Sequence, residues 1–211
     1  MARRQGRGLR IIAGEHRGSR LETPKGKLLR PMRDQVRGAL FNILTANLPE
    51  ARVLDLFAGS GSLGLEALSR GAAHTVFVDR APPCLACLKK NVAHLRLEER
   101  STVLQYDLVQ GAGGLARHGP FDLILVHPPF VLLKPSPNPP ELDVAALLQS
   151  LTSLLAPEGR IAFETPVECY TQAADLPALD VILRRTYGST AVFIAGPVEP
   201  EPNANGRHPE G

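Results

Sequence analysis

The 211-residue chain is long enough for one or two domains with a real apolar core. Its 44% hydrophobic and 21% charged residues exclude an acidic disordered chain and a fibre. Three cysteines do not make a disulfide framework and fit a reducing, cytoplasmic setting. No apolar run approaches the roughly 18 residues of a membrane span, and the arginine-rich start lacks the apolar stretch of a secretory signal.

Charge is unevenly spread. Residues 1–40 hold eleven Lys/Arg against three acids, a net +8, which leaves −5 for the rest of a chain of formal charge +3. A basic arm on an acidic body suits a polyanionic partner; a flexible, solubilising terminus is the alternative. Ten of the nineteen prolines fall in Pro128–Pro140 and in the tail from Gly196. The tail has no apolar period and is expected to be disordered, whereas the interior proline-rich loop is long enough to be functional.

In chain order, Leu9–Gly14 and Ser19–Thr23 read as a hairpin. Val36, Leu40, Ile43 and Leu44 place a helix over Arg33–Asn47. Arg52–Phe57 is a strand that enters a glycine loop, and Ser62–Arg70 is a helix closed by Gly71. His74–Asp79 and Ser101–Gln105 are strands flanking a helix over Pro82–Leu95. Phe121–Val126 is nearly all apolar, as a buried central strand should be. A helix over Val144–Leu155, a strand at Arg160–Glu164 and a pair of strands, Leu179–Arg185 and Thr190–Ala195, complete the chain. The alternation predicts a doubly wound, mostly parallel α/β sheet whose last strand pair is antiparallel. The domains expected are a basic arm, hairpin and helix (1–48), the α/β domain (49–196) and the tail (197–211).

Gly59-Ser60-Gly61-Ser62-Leu63-Gly64 fits G-x-G-x-x-G, with Asp79 twenty residues beyond Gly59 at the end of the next strand. Alone this pattern suggests a dinucleotide. Asp55 argues otherwise, because a carboxylate at the approach to the loop repels a pyrophosphate and suits a cationic ammonium. Asp107, after the third strand, adds a carboxylate that can accept an adenine amino hydrogen. Helix caps and turn formers are the plainer reading of these acids.

The run Asp55–Gly61 (DLFAGSG), Asp79 and a Pro-Pro-Phe after the fourth strand resemble a class I S-adenosylmethionine-dependent methyltransferase. Arg10–Gly14, Leu29-Arg30-Pro31, Asp34–Arg37, Ala39–Leu44 and Leu63–Ala72 narrow the resemblance to the RsmD-type family, which methylates the exocyclic N2 of a guanine in 16S ribosomal RNA. The resemblance covers about residues 9–196. It implies a Rossmann-like seven-stranded sheet and S-adenosylmethionine as cofactor. Asp55 and the loop Gly59, Ser60 and Gly61 would hold its methionine portion, Asp79 its ribose and Asp107 its adenine, with Phe57, Ala58, Arg80 and Leu108 also among the cofactor-binding residues. His127, Pro128, Pro129 and Phe130 would hold and orient the target base. Arg10, Arg17, Arg20, Arg30 and Arg33 would grip RNA phosphates. The expected partner is ribosomal RNA or the small ribosomal subunit, met by a monomer with no membrane attachment.

The chain departs from that pattern where the family has Asp-Pro-Pro-Phe/Tyr: here the first residue is His127. A carboxylate only accepts hydrogen bonds; neutral imidazole accepts one and donates one; imidazolium only donates. Neutral His127 can accept one amine hydrogen and the Pro128 carbonyl another, so activity should fall as His127 protonates. A chain silenced at this position, serving as an RNA-binding or ribosome-assembly protein without turnover, is one alternative, and a methyltransferase acting on another nucleic acid base is a second. Met32 in place of Thr and Gly38 in place of Glu are lesser departures. Cys84 and Cys87 have metal spacing, but with no second cysteine pair they read as buried helix thiols, and no metal is expected.

Overall fold

The computed structural model describes residues 8–24, 32–133, 142–169 and 179–198. Seven strands form one sheet: β1 (Arg52–Leu56), β2 (His74–Asp79), β3 (Ser101–Gln105), β4 (Phe121–Val126), β5 (Leu155–Pro166), β6 (Leu179–Tyr187) and β7 (Thr190–Pro197). Their order is β3-β2-β1-β4-β5-β7-β6. The first five are parallel, and β7 runs antiparallel to both β5 and β6. The helices are α1 (Asp34–Ile43), α2 (Ser62–Ser69), α3 (Pro82–His94) and α4 (Val144–Ser150).

The chain steps outward from β1 to β3, then returns to lay β4 beside β1 on its other side. The strand order reverses there, and connections leave β1 and β4 in opposite directions. This opens a crevice at their carboxyl ends, the ligand position of open α/β sheets. Apolar residues cover both faces. Val53, Leu123, Leu125, Ala162 and Val192 pack with α1, α2 and the N-terminal segment. Leu54, Ile124, Ile161 and Phe193 pack with α4 on the other face. β1 and β4 are therefore apolar except at the exposed Arg52 that opens β1, at Asp55 and at Asp122.

Three elements differ from the sequence expectation for hydrogen-bonding reasons, long-range in the first case and local in the other two. The N-terminal hairpin is reduced to one bridge, Arg10 to Arg20, with Ile11 and Leu21 donating to Ser19 and Leu9. The next amides are diverted: Ile12 and Ala13 donate to the Glu66 carboxylate at 2.7 and 3.0 Å, and Glu15 donates to the Ser69 carbonyl. The first helix stops at Ile43 and ends in a 3-10 turn, Leu44–Asn47, where the Thr45 hydroxyl donates back to the Phe41 and Asn42 carbonyls. Likewise α4 stops at Ser150 and tightens over Leu151–Leu154, as Ser150, Thr152 and Ser153 each bond a carbonyl three residues back. Leu155 then opens β5, which runs well before Arg160. Most of the proline-rich loop and of the tail lies outside the described residues, as does Arg30.

Candidate active site

The carboxyl edge of the sheet gathers residues from β1, β2, β4 and β5. β1 ends because Phe57 takes a left-handed backbone (φ 58°), and the chain turns tightly, with Gly61 donating to the Ala58 carbonyl at 2.7 Å. Gly61 caps α2 with φ 81°, and a Cβ there would lie 2.3 Å from Leu88. One turn later, a Cβ on Gly64 would meet the Phe77 ring at 2.3 Å. Two of the loop glycines thus serve the close seating of α2 on α3 and on β2. Asn91 braces the loop from behind: its side-chain amide donates to the carbonyls of Ser60 and Glu22 and accepts the Glu22 amide.

Asp55 is 1% exposed, and its Oδ2 accepts the Gly64 N–H at 2.9 Å in the first turn of α2. Burial pushes its carboxyl up to about 7; the Gly64 bond and the charge of His127 pull it back, and Asp79 adds to the rise. A bound cation would favour the ionised form of such a carboxylate. Asp79 holds the loop directly: its Oδ2 accepts the Gly59 amide and its Oδ1 the Ala81 amide, both at 2.8 Å. Asp107 caps a 3-10 turn through Val109 and lies 3.6 Å from Arg80. The capping reading of these acids therefore holds alongside any ligand role. Leu108, beside Asp107, is buried.

His127 follows β4. Because Asp55 pairs with Leu125 and Val126 with Phe163, His127 projects one step beyond the strand, beside Glu164 of β5. His127 Nε2 lies 2.8 Å from Glu164 Oε2, and Glu164 is 5% exposed. The N–H is not aligned on that oxygen, so the contact is a close approach rather than a directional hydrogen bond. Pro128 is buried, Pro129 is exposed, and Phe130 is half-buried against the α4-side core.

Glu164 is the site residue that reading the sequence missed. Its signal was an acid in an otherwise apolar strand, Ile161–Glu164, which a buried partner has to explain. Glu66 in α2 carries the same signal. It is fully buried, holds the N-terminal amides and pairs with Arg70 at 2.7 Å.

The basic arm is less free than expected. Arg10 lies 3.6 Å from Asp34, and Arg33 donates to the Tyr187 carbonyl at the β6–β7 turn. Arg17 and Arg20 are exposed. Cys84 and Cys87 are buried on α3, with burial pushing the Cys84 thiol up to about 11.

Residues 9–195 match the family described as conserved hypothetical protein 95. "Putative rRNA methyltransferase YlbH" of Bacillus subtilis is 33% identical over 193 residues, spanning 88% of this chain and 97% of that protein. The chain belongs to the RsmD-type family of class I methyltransferases. Within this family, ribosomal RNA small subunit methyltransferase D of Escherichia coli is 41% identical over 123 residues, covering 58% of this chain and 60% of that protein. The solved structure of yhhF from Escherichia coli superposes with a TM-score of 0.70 at 31% identity, over 90% of this chain and 97% of the other. A Pyrococcus horikoshii protein at 14% identity (TM-score 0.68) shares the fold. As an RsmD-type protein the chain is an S-adenosylmethionine-dependent methyltransferase, and the dinucleotide alternative falls away. Among the described residues no helix is long and apolar enough to cross a membrane.

Proposed function

We propose that this enzyme transfers a methyl group from S-adenosylmethionine to the exocyclic N2 of a guanine in 16S ribosomal RNA, in the cytoplasm. The observation that carries the proposal is that Asp55 near the end of β1 and His127 just beyond the adjacent, parallel β4 stand close enough for the charge of His127 to act on Asp55, at the carboxyl edge of the sheet. The family membership points to ribosomal RNA, and the notable basicity of residues 1–40 suits it.

The residues present fit the cofactor. Asp55, buried and held at about 7, is suited to the ammonium group. The backbone of Phe57–Gly61 would lie along the methionine portion. Asp79 and Arg80 would take the ribose, and Asp107 and Leu108 the adenine. When bound, S-adenosylmethionine supplies a sulfonium methyl: the amine nitrogen forms the new N–C bond as the C–S bond breaks, its electron pair passing to sulfur and an amine proton to solvent.

The chain's own residues position the amine. Its lone pair is delocalised into the guanine ring, so it must be turned to face the methyl. Neutral His127 accepts one amine hydrogen, the Pro128 carbonyl accepts another, and Phe130 stacks on the unstacked base, with Pro129 shaping the turn. Positioning supplies most of the rate. Arg10, Arg17, Arg20, Arg30 and Arg33, within the arm of residues 1–48, contact phosphates while residues 49–196 carry the chemistry.

The test is transfer of labelled methyl to 30S subunits lacking native guanine-N2 methylation, with His127→Asp run in parallel. Label recovered as N2-methylguanine from the wild type supports the proposal. Label only from His127→Asp means that His127 silences the chemistry and the native chain binds RNA without turnover. Silence from both, with cofactor binding confirmed, overturns the substrate.

A further inference from the structure

His127 stands where the family carries a carboxylate, and imidazole can replace an acceptor only if the right ring nitrogen is free. The fold supplies a group that can decide this. His127 and Glu164 leave adjacent parallel strands in the same row and on the same face of the sheet, the face of Asp55 and α1. Their Nε2 and Oε2 atoms are 2.8 Å apart, and among the described residues Oε2 has no aligned hydrogen-bond donor. A buried carboxylate oxygen left without a donor is costly. The nearest group able to satisfy it is the imidazole.

We infer that Glu164 is a positioning residue that acts through His127, accepting a hydrogen bond from Nε2–H of the neutral imidazole and so leaving the Nδ1 lone pair to accept a hydrogen of the substrate amine. The bond each ring nitrogen makes fixes the state of the other. Without Glu164 the ring is free to place its proton on Nδ1, turning the acceptor into a donor. Modest misalignment before substrate arrives is usual for such contacts, which tighten once the site is filled. Asp55, the other acid that interacts with His127, is held by the Gly64 amide and belongs to the cofactor side. The inference rests on the proposed role of His127 in orienting the amine, and it adds a residue that no relative's name assigns.

Two measurements test it. The first needs neither substrate nor variant of Glu164: 15N chemical shifts of the His127 ring at pH 7.5, assigned by loss of the signal in His127→Asp. Protonated Nε2 with unprotonated Nδ1 is expected. A predominant Nδ1–H tautomer, or an imidazolium, overturns the inference even if methyl transfer to ribosomal RNA is confirmed.

The second is a double-mutant cycle on kcat. Glu164→Leu should lower kcat about 10- to 100-fold in the His127 background, with the KM for S-adenosylmethionine unchanged. In the His127→Asp background, where there is no tautomer to set, it should lower kcat less than about 3-fold. Equal losses in both backgrounds mean a merely structural role and overturn it. Should neither background methylate the RNA, the substrate reading has failed, while the 15N shifts still decide the tautomer.

Discussion

The Asp79 carboxylate at the end of β2 accepts the amide of Gly59, twenty residues earlier in the chain, at 2.8 Å. Its other oxygen accepts Ala81. The acid proposed to bind ribose therefore also shapes the glycine loop on which the methionine portion would rest. Asp79→Ala would leave two amides without their acceptor, at a cost of about 1–3 kcal/mol. It should lower the unfolding midpoint and weaken S-adenosylmethionine binding at least about 10-fold, as measured by chemical denaturation and calorimetry. Asp79→Asn, which keeps one acceptor oxygen, should lose affinity with a smaller loss of stability.

Asp55 links stability and cofactor binding to pH in opposite senses. Its folded-state value of about 7 lies above the roughly 3.9 of an unfolded aspartate, so the folded state holds the proton more tightly. The stability this contributes is complete below about pH 4 and is lost as pH rises towards 7, a change of a few kcal/mol by linkage (order of magnitude). Asp55→Asn should flatten stability between pH 5 and 8 in urea titrations. Pairing with an ammonium needs the ionised carboxylate, so wild-type affinity for S-adenosylmethionine should rise about 5- to 10-fold from pH 6 to 7.5, and this rise should vanish in Asp55→Asn.

Glu66 joins the N-terminal segment to α2. Glu66→Ala strands the amides of Ile12 and Ala13 and leaves the buried Arg37 and the Arg70 guanidinium without this carboxylate. Removing one side of a buried charged pair costs about 3–5 kcal/mol. The expected result is a large drop in melting temperature, with amide exchange accelerating first at Ile12 and Ala13.

Two glycines should respond oppositely to alanine. At Gly38 a Cβ would sit 3.9 Å from Ile12, an ordinary contact, so Gly38→Ala should stabilise α1 by about 0.5–1 kcal/mol. At Gly64 a Cβ would lie 2.3 Å from Phe77 and 2.7 Å from Thr75, and Gly64→Ala should destabilise by about 1–3 kcal/mol through overpacking. Denaturation midpoints of the two variants check both.

Apolar periodicity and turn residues were enough to place nearly every strand and helix and the sheet class, and the spacing of Asp55, the glycine loop and Asp79 marked the loop that follows β1. These are properties of short segments, written where they act. The tertiary structure alone decided the rest. Amides of the N-terminal hairpin turned to Glu66, more than fifty residues away, in preference to one another. Asp79 proved to hold the loop it follows. His127 found Glu164, thirty-seven residues on, because β5 lies beside β4. A buried polar group must be satisfied by whatever the fold brings within about 3 Å, and which strand lies next to which is set by the packing of the whole sheet, not by the residues on either side of the group.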